Sequence, residues 1–283
     1  MNTLILGGDK RYYEIIEAFK NKKYNIDLVG YKNKIDKTNN LNISDVDVSK
    51  YDIILFPINA IGEDYTINGE INFKINPDFL KQAKDNVLIF SGIKTPKLDE
   101  ILKNGQKKAF FLMKDKEVIK DNVIPTVEGI LADIITNTDI TIKNANILVI
   151  GYGNIGKYLV ETLNHLKANT IVSIKEDYDK YLLDKKNIYN IFSNDIQKMN
   201  KVLEKTDIII NTVPSLVLDK NYIDNINNNA YVLDVSSRPH GIDKEALIKK
   251  DINFKIYLGI PSKIAPKTSG LILSKKINHI IGG

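Results

Sequence analysis

Short unbroken apolar runs alternate along this chain with stripes of apolar residues spaced three and four apart. Residues 3–6, 26–29, 53–56, 87–90 and 110–112 form continuous runs bounded by Asp, Gly or Pro. Runs of that kind are strands of a parallel sheet with helices on both faces. Tyr12, Ile15, Ile16 and Phe19 share one face of a helix predicted over 12–20. Further helices are predicted over 77–83 and 97–103, and the polar, turn-rich stretch 62–74 reads as an excursion loop. Ile124-Pro125-Thr126-Val127-Glu128 then opens a new element. Pro125 suits a helix entry, Thr126 is a candidate cap, and Val127, Ile130, Leu131, Ile134 and Ile135 recur at helical spacing. This helix is predicted to bridge the two halves. Strand 147–150, helix 155–166 and strands 170–174, 207–211, 231–234 and 253–257 follow. A closing helix over 265–281 is predicted to pack back onto the first half.

Composition narrows the chemistry. The 283 residues are long enough for two domains. There is no cysteine, which removes disulfides, zinc–thiolate sites, iron–sulfur clusters and a thiol nucleophile. The longest apolar runs, such as 147–150, fall far short of the ~20 residues a membrane span needs, and the start reads as a first strand without a basic leader. Cytoplasmic location is the expectation. Forty basic and thirty-five acidic residues are interleaved with no basic block, which argues against a nucleic-acid partner. Only Arg11 and Arg238 are arginine, in a chain where lysine is the generic solvated charge. A guanidinium offers carboxylate or phosphate a planar fork that lysine cannot reproduce, so both are candidate anion ligands.

The clearest motif is Gly151-Tyr152-Gly153-Asn154-Ile155-Gly156, set directly after a predicted strand and before an amphipathic helix. In that context Gly151 permits the tight turn, Gly153 lets backbone approach a pyrophosphate, and Gly156 lets helix and strand pack closely. The helix N-terminus supplies free N–H donors for the anion. Cofactor choice belongs at the end of the next strand, where Ser173 and Lys175 suit the 2′-phosphate of NADP and Glu176 suits the 2′-hydroxyl of NAD. The lean is to NADP. Thr212, Val213 and Pro214, with Ser236, end later strands and are predicted to line the nicotinamide side. The fold class is therefore α/β: two open parallel-sheet domains, the second a Rossmann dinucleotide-binding domain, joined by bridging helices. Their boundaries are drawn at 1–123 and 124–265.

Arg238 is read as a carboxylate clamp, with a surface salt bridge as the bland alternative. His240 follows it in the same loop, whereas His165 and His279 read as structural. The loop 259–270 carries Lys267 and Thr268. On the N-terminal side Gly7-Gly8-Asp9-Lys10-Arg11, Pro57-Ile58-Asn59-Ala60 and Ser91-Gly92-Ile93 end strands without dinucleotide spacing. They suit a small polar substrate across an interdomain cleft, with Arg11 and Arg238 each taking one carboxylate of a dicarboxylic acid.

These segments, in order across residues 3–280, resemble the family of dipicolinate synthase A subunits. The likeness rests on Gly-Gly-Asp-x-Arg at 7–11, Ser91-Gly92-Ile93, Ile124-Pro125-Thr126-Val127-Glu128-Gly129 and the glycine turn. It rests further on Asn211-Thr212-x-Pro214-Ser215, Ser237-Arg238-Pro239-x-Gly241 and Ala265-Pro266-Lys267-Thr268-x-Gly270. The resemblance implies NADP-dependent oxidation of dihydrodipicolinate, from the lysine/diaminopimelate pathway branch, to pyridine-2,6-dicarboxylate. It also implies the mother-cell cytoplasm of endospore formers, a flavoprotein-like dipicolinate synthase B subunit as partner, and a homo-oligomer. Where the family pattern has Gly at 240, Gly at 262 and Arg at 175, this chain has His, Ser and Lys. Arg11, Arg238 and Lys267, with Glu128 and Asp9 as proton acceptors, are the predicted catalytic set. Ser91, Gly92, Thr126 and Thr268 join the arginines as predicted substrate contacts, and no metal is expected. The rival readings are another two-domain 2-hydroxyacid or amino-acid dehydrogenase and a non-catalytic nucleotide-binding protein with a regulatory role.

Overall fold

The computed structural model describes every residue except Ala60 and Gly283, so the strand-end prediction at 57–60 lies partly outside the described residues. The chain folds as two units, Met1–Asn122 with Ala265–Gly283, and Val123–Ile264. The first unit contains β1 (Asn2–Leu6), α1 (Tyr12–Asn21), β2 (Asn25–Val29), β3 (Asn39–Asn40) and β4 (Ile53–Leu55). It continues with β5 (Thr66–Ile67), β6 (Phe73–Lys74), β7 (Leu88–Ser91), α2 (Pro96–Asn104), β8 (Ala109–Phe111) and α3 (Lys116–Asp121). Its main sheet is parallel in the order β3-β2-β1-β4-β7-β8.

The second unit opens on α4 (Val123–Asn137) and continues β9 (Asn146–Ile150), α5 (Asn154–His165), β10 (Asn169–Ile174), α6 (Asp177–Lys185), β11 (Tyr189–Phe192) and α7 (Ile196–Leu203). It ends β12 (Ile208–Asn211), α8 (Lys220–Ile223), β13 (Tyr231–Asp234), α9 (Lys244–Lys249), β14 (Asn253–Ile256) and α10 (Ile260–Ile264). This sheet is also parallel, ordered β11-β10-β9-β12-β13-β14. The order is doubly wound in both units, with its switch point beside the first strand. The two parallel-sheet domains match the α/β class read from the sequence.

The last helix, α11 (Pro266–Gly282), belongs to the first unit. It crosses α1 at Gly270, where a Cβ would lie 2.4 Å from the Arg11 carbonyl oxygen. Leu273 and Ile277 are buried there among Ile15, Ile16 and Phe19, each such side chain contributing roughly 1.5–3 kcal/mol. In the second unit α4 is pinned to the sheet by a buried Asp133. Its carboxylate accepts from the Tyr231 hydroxyl at 2.6 Å and pairs with Lys255. Burial, then the Asp133 hydrogen bond, pushes the Tyr231 phenol far above its ordinary value.

Several predicted elements change. Residues 77–83 are successive turns and not a helix, because Asn76 caps its own turn by accepting from the Asp78 amide. The following bonds, Phe79 to Asn76, Lys81 to Asp78 and Ala83 to Leu80, all span three residues. The 62–74 excursion holds the antiparallel β5–β6 hairpin. Thr126 does not cap α4. The helix begins at Val123, so Pro125 falls in its first turn, where a missing N–H costs nothing, and Thr126 is buried inside it.

Candidate functional site

β9 delivers the chain into the glycine turn, and the three glycines have three different surroundings. Gly151 has φ +97°, and a Cβ there would lie 2.6 Å from Thr212 Oγ1. At Gly156 a Cβ would lie 2.2 Å from the Gly151 carbonyl oxygen. Gly153, the residue before α5, has nothing within 4 Å of that position. The outer glycines are thus required by the fold, while the middle one leaves open space in front of the N-terminal amides of Asn154, Ile155 and Gly156. Free amides at a helix N-terminus that face open space suit an anionic ligand. The turn is held from behind: the Gly151 amide donates to the Ser173 carbonyl at 2.9 Å, and Thr212 Oγ1 donates to the Ile150 carbonyl at 2.9 Å. Tyr152 is buried, with Lys157 Nζ 5.3 Å from its ring centre and 3.8 Å from Asp179. Burial, then the charges of Asp179 and Glu161, raises its phenol above the ordinary value.

At the adenosine end, Lys175 and Glu176 are both exposed beyond β10, and Asp177 and Asp179 lie in the first turn of α6. Ser173 is 1% exposed, and its hydroxyl has no hydrogen-bond partner among the described residues. Its side chain is therefore turned into the sheet's packing and not toward solvent with Lys175.

At the other end, Thr212 and Val213 are half-buried and Pro214 is exposed. Arg238 is exposed, carries no ion pair among the described residues, and precedes a cis bond to Pro239. Its guanidinium is thus uncommitted. His240 has φ +79°, the left-handed region that favours glycine. Its Nδ1 is buried and has no partner among the described residues. Ser236 is 3% exposed and its amide donates to Asp234 Oδ1 at 2.8 Å, so this predicted cofactor contact braces the loop. Asn211 and Asp234, which open the two strand-end segments and to which the sequence assigned no contact of their own, are fully buried at the C-terminal ends of β12 and β13 and paired in register. The only signal was a polar residue ending each apolar run.

Glu128 is exposed on the second turn of α4, in the same unit. Asp9, Arg11, Ser91, Gly92, Lys267 and Thr268 belong to the first unit. Arg11 is 6% exposed, and Asp9 holds it side-on: Nε donates to Oδ1 at 2.9 Å and Nη2 to Oδ2 at 2.6 Å. Half of the fork is therefore already occupied. Lys267 and Thr268 are exposed in the first turn of α11, the turn preceding Gly270 at the Arg11 carbonyl. Ser91 is fully buried, with Oγ 3.1 Å from the Pro57 carbonyl oxygen. A Cβ on Gly92 would lie 2.5 Å from Ile58 Cα. Ser91 and Gly92 thus stitch two strand ends together. No group of three acidic or imidazole side chains among the described residues is placed to hold a metal.

Gly7 and Gly8 end β1 as Gly151 ends β9, but their surroundings are closed. Their φ values are +57° and +111°, and Cβ atoms would lie 2.4 Å from the Asn68 carbonyl oxygen and 2.6 Å from the Tyr12 ring. The hairpin supplies the cover: the Gly8 amide donates to the Asn68 carbonyl at 2.9 Å, and Glu70 accepts from the Tyr13 hydroxyl and the Lys32 amide.

Comparison with known proteins agrees with this division. Residues 2–113 match the N-terminal domain of the dipicolinate synthase A subunit. Residues 133–255 match the NAD-binding domain of D-isomer-specific 2-hydroxyacid dehydrogenases. The dipicolinate synthase A subunit of Bacillus subtilis (strain 168) is 28% identical over 288 residues, which cover 99% of this chain and 96% of that protein. The crystal structure of the dipicolinate synthase A subunit from Bacillus halodurans superposes with a TM-score of 0.93 at 27% identity, covering 100% of this chain and 98% of that one. The crystal structure of the corresponding protein from Bacillus subtilis gives 0.90 at 26% identity, with 100% and 96% covered. Two matched domains and an end-to-end likeness in sequence and fold make this chain similar to dipicolinate synthase A subunits over its whole length, and mark it as an oxidoreductase with a domain for a nicotinamide dinucleotide.

Proposed function

We propose that the chain oxidises dihydrodipicolinate to pyridine-2,6-dicarboxylate. The observation that carries the cofactor half of this reading is the open space at Gly153 between two crowded glycines. The names of the similar proteins from Bacillus supply the product. A nicotinamide dinucleotide held at that turn would supply the hydride acceptor; loss of a hydride and one proton from the ring would leave an aromatic pyridine. Aromatisation provides driving force, and the protein's task is to orient the ring and receive that proton.

A ring bearing two carboxylates asks for two forks, and the chain's arginines, Arg11 and Arg238, are assigned to them. Lys267 and Thr268 assist from the first turn of α11. Glu128 and Asp9 are the assigned proton acceptors, with Glu128 the freer because Asp9 is bonded to Arg11. Thr126, Ser91 and Gly92 are the further residues assigned to substrate contact. The cofactor is read as NADP, with exposed Lys175 meeting the 2′-phosphate. NAD is the second reading, favoured by Glu176, Asp177 and Asp179 in the same segment. A flavoprotein-like B subunit as partner, a homo-oligomer and the mother-cell cytoplasm complete the proposal. Among the described residues no helix is long and apolar enough to cross a membrane.

The test is NADPH or NADH formation from dihydrodipicolinate, followed at steady state with each cofactor. Arg238→Lys is expected to raise KM for the substrate at least tenfold. An unchanged KM in that variant removes the clamp. A silent protein that gains activity only when the B subunit is added assigns catalysis to the pair.

A further inference from the structure

β12 and β13 form the side of the second sheet that serves the nicotinamide half of a dinucleotide in a doubly wound fold. They end in Asn211 and Asp234, both fully buried. Asp234 Oδ1 accepts from the Ser236 amide at 2.8 Å and from Asn211 Nδ2 at 3.1 Å, while Oδ2 accepts from the Gly241 amide at 2.9 Å. Asn211 accepts from the Val213 amide at 3.0 Å and donates to the Val213 carbonyl at 3.0 Å. One carboxylate and one amide therefore hold the loop at 212–215 against the loop at 235–241. The closure leaves no slack: a Cβ on Gly241 would lie 2.2 Å from Asn211 Nδ2 and 2.6 Å from the Val213 carbonyl oxygen.

A buried carboxylate is costly unless several donors satisfy it, and Asp234 has no ion pair among the described residues. Its role follows from being an acceptor at both oxygens. Asparagine in its place would turn an NH₂ group toward a backbone N–H on one side, either that of Gly241 or that of Ser236, and one loop would have to move. Arg238 sits in the loop so held, four residues beyond Asp234.

The geometry points to Asp234, acting through Asn211, as the positioning residue for the nicotinamide half of the cofactor site. The inference rests on the dinucleotide reading of the second unit. The adenosine half lies over β9, β10 and β11 and should not sense the change.

Calorimetric titration of wild type, Asp234→Asn and Asn211→Ala with ADP and with NADP⁺ and NAD⁺ tests it. ADP binding is expected to stay within twofold in both variants, while the preferred dinucleotide weakens at least tenfold. Unchanged dinucleotide binding in a folded variant overturns the proposal. Equal weakening of ADP and dinucleotide also overturns it, since that marks general loosening. A wild-type protein that binds neither ligand overturns instead the dinucleotide reading on which the proposal stands. Where neither variant folds, amide exchange on the wild type decides. The Val213, Ser236 and Gly241 amides should gain protection with dinucleotide and not with ADP, and equal protection by both sinks the proposal.

Discussion

In the second unit β9 runs into a turn whose middle glycine faces open space, with helix amides behind it. In the first unit β1, at the same place in a sheet of the same strand order, runs into Gly7 and Gly8, where the β5–β6 hairpin and the Tyr12 ring fill the corresponding space. Strand order thus provides a switch point in each unit, but it does not provide a vacancy. What separates a nucleotide seat from a packed corner is whether a later segment folds over the turn, and in the first unit residues 61–74 do so.

The largest test of this contrast is Gly156→Ala. A Cβ 2.2 Å from the Gly151 carbonyl oxygen must displace backbone, and an expected loss of about 3 kcal/mol in urea unfolding should accompany loss of dinucleotide binding. Gly153→Ala separates the two effects. With nothing within 4 Å, stability should change by less than about 1 kcal/mol, yet the methyl group occupies the anion's approach. A hundredfold weaker dinucleotide, about 2.7 kcal/mol, is expected by calorimetry. Equal affinity would show that the turn is not the seat.

Gly7→Ala is the reciprocal experiment. Its φ of +57° and the 2.4 Å approach to the Asn68 carbonyl oxygen should lower stability by about 2 kcal/mol and leave dinucleotide affinity untouched. Acid should distinguish the two turns more gently. The Tyr13 hydroxyl, then the Lys32 amide, hold Glu70 below its ordinary 4.5, and Lys74 with Thr66 holds Asp64 at about 2. Both folded values are depressed, so the stabilisation is present above about pH 4.5 and is lost as pH falls through the folded values. Amide exchange, corrected for its intrinsic pH dependence, should show Gly8 and Ile71 losing protection in that window before Gly151 does. The smallest effect is expected for His240→Gly, which relieves a left-handed φ of +79°. It should stabilise the chain by up to about 1 kcal/mol with unchanged dinucleotide affinity.

Much of this contrast is legible in the residues alone. Central strands such as those at 147–150 and 208–210 are buried on both faces, so they appear as unbroken apolar runs, and the glycine turn announces itself by its flanking strand and helix. The edge strand β11 does not, because Tyr189 is exposed and only Ile191 is fully buried within it. The β5–β6 hairpin has two residues per strand, too few for an alternating pattern, so the cover over Gly7 and Gly8 could not be foreseen. Asn211 and Asp234 escape for a different reason. Each is explained by the strand beside it and by loops that return to it, and neither neighbour is near in sequence. Arg11 stands out for its rarity, but nothing in the spacing says that Asp9 already grips it.

The helix α11 is made after every residue of the second unit, yet it packs with Ile15 and Phe19 from the opening stretch. During synthesis the opening stretch must therefore wait, with Leu273 and Ile277 still missing from its interior, while the middle of the polypeptide already has everything it needs to fold. Trimming the tail should accordingly harm the part of the protein translated first, and leave the part translated just before it intact.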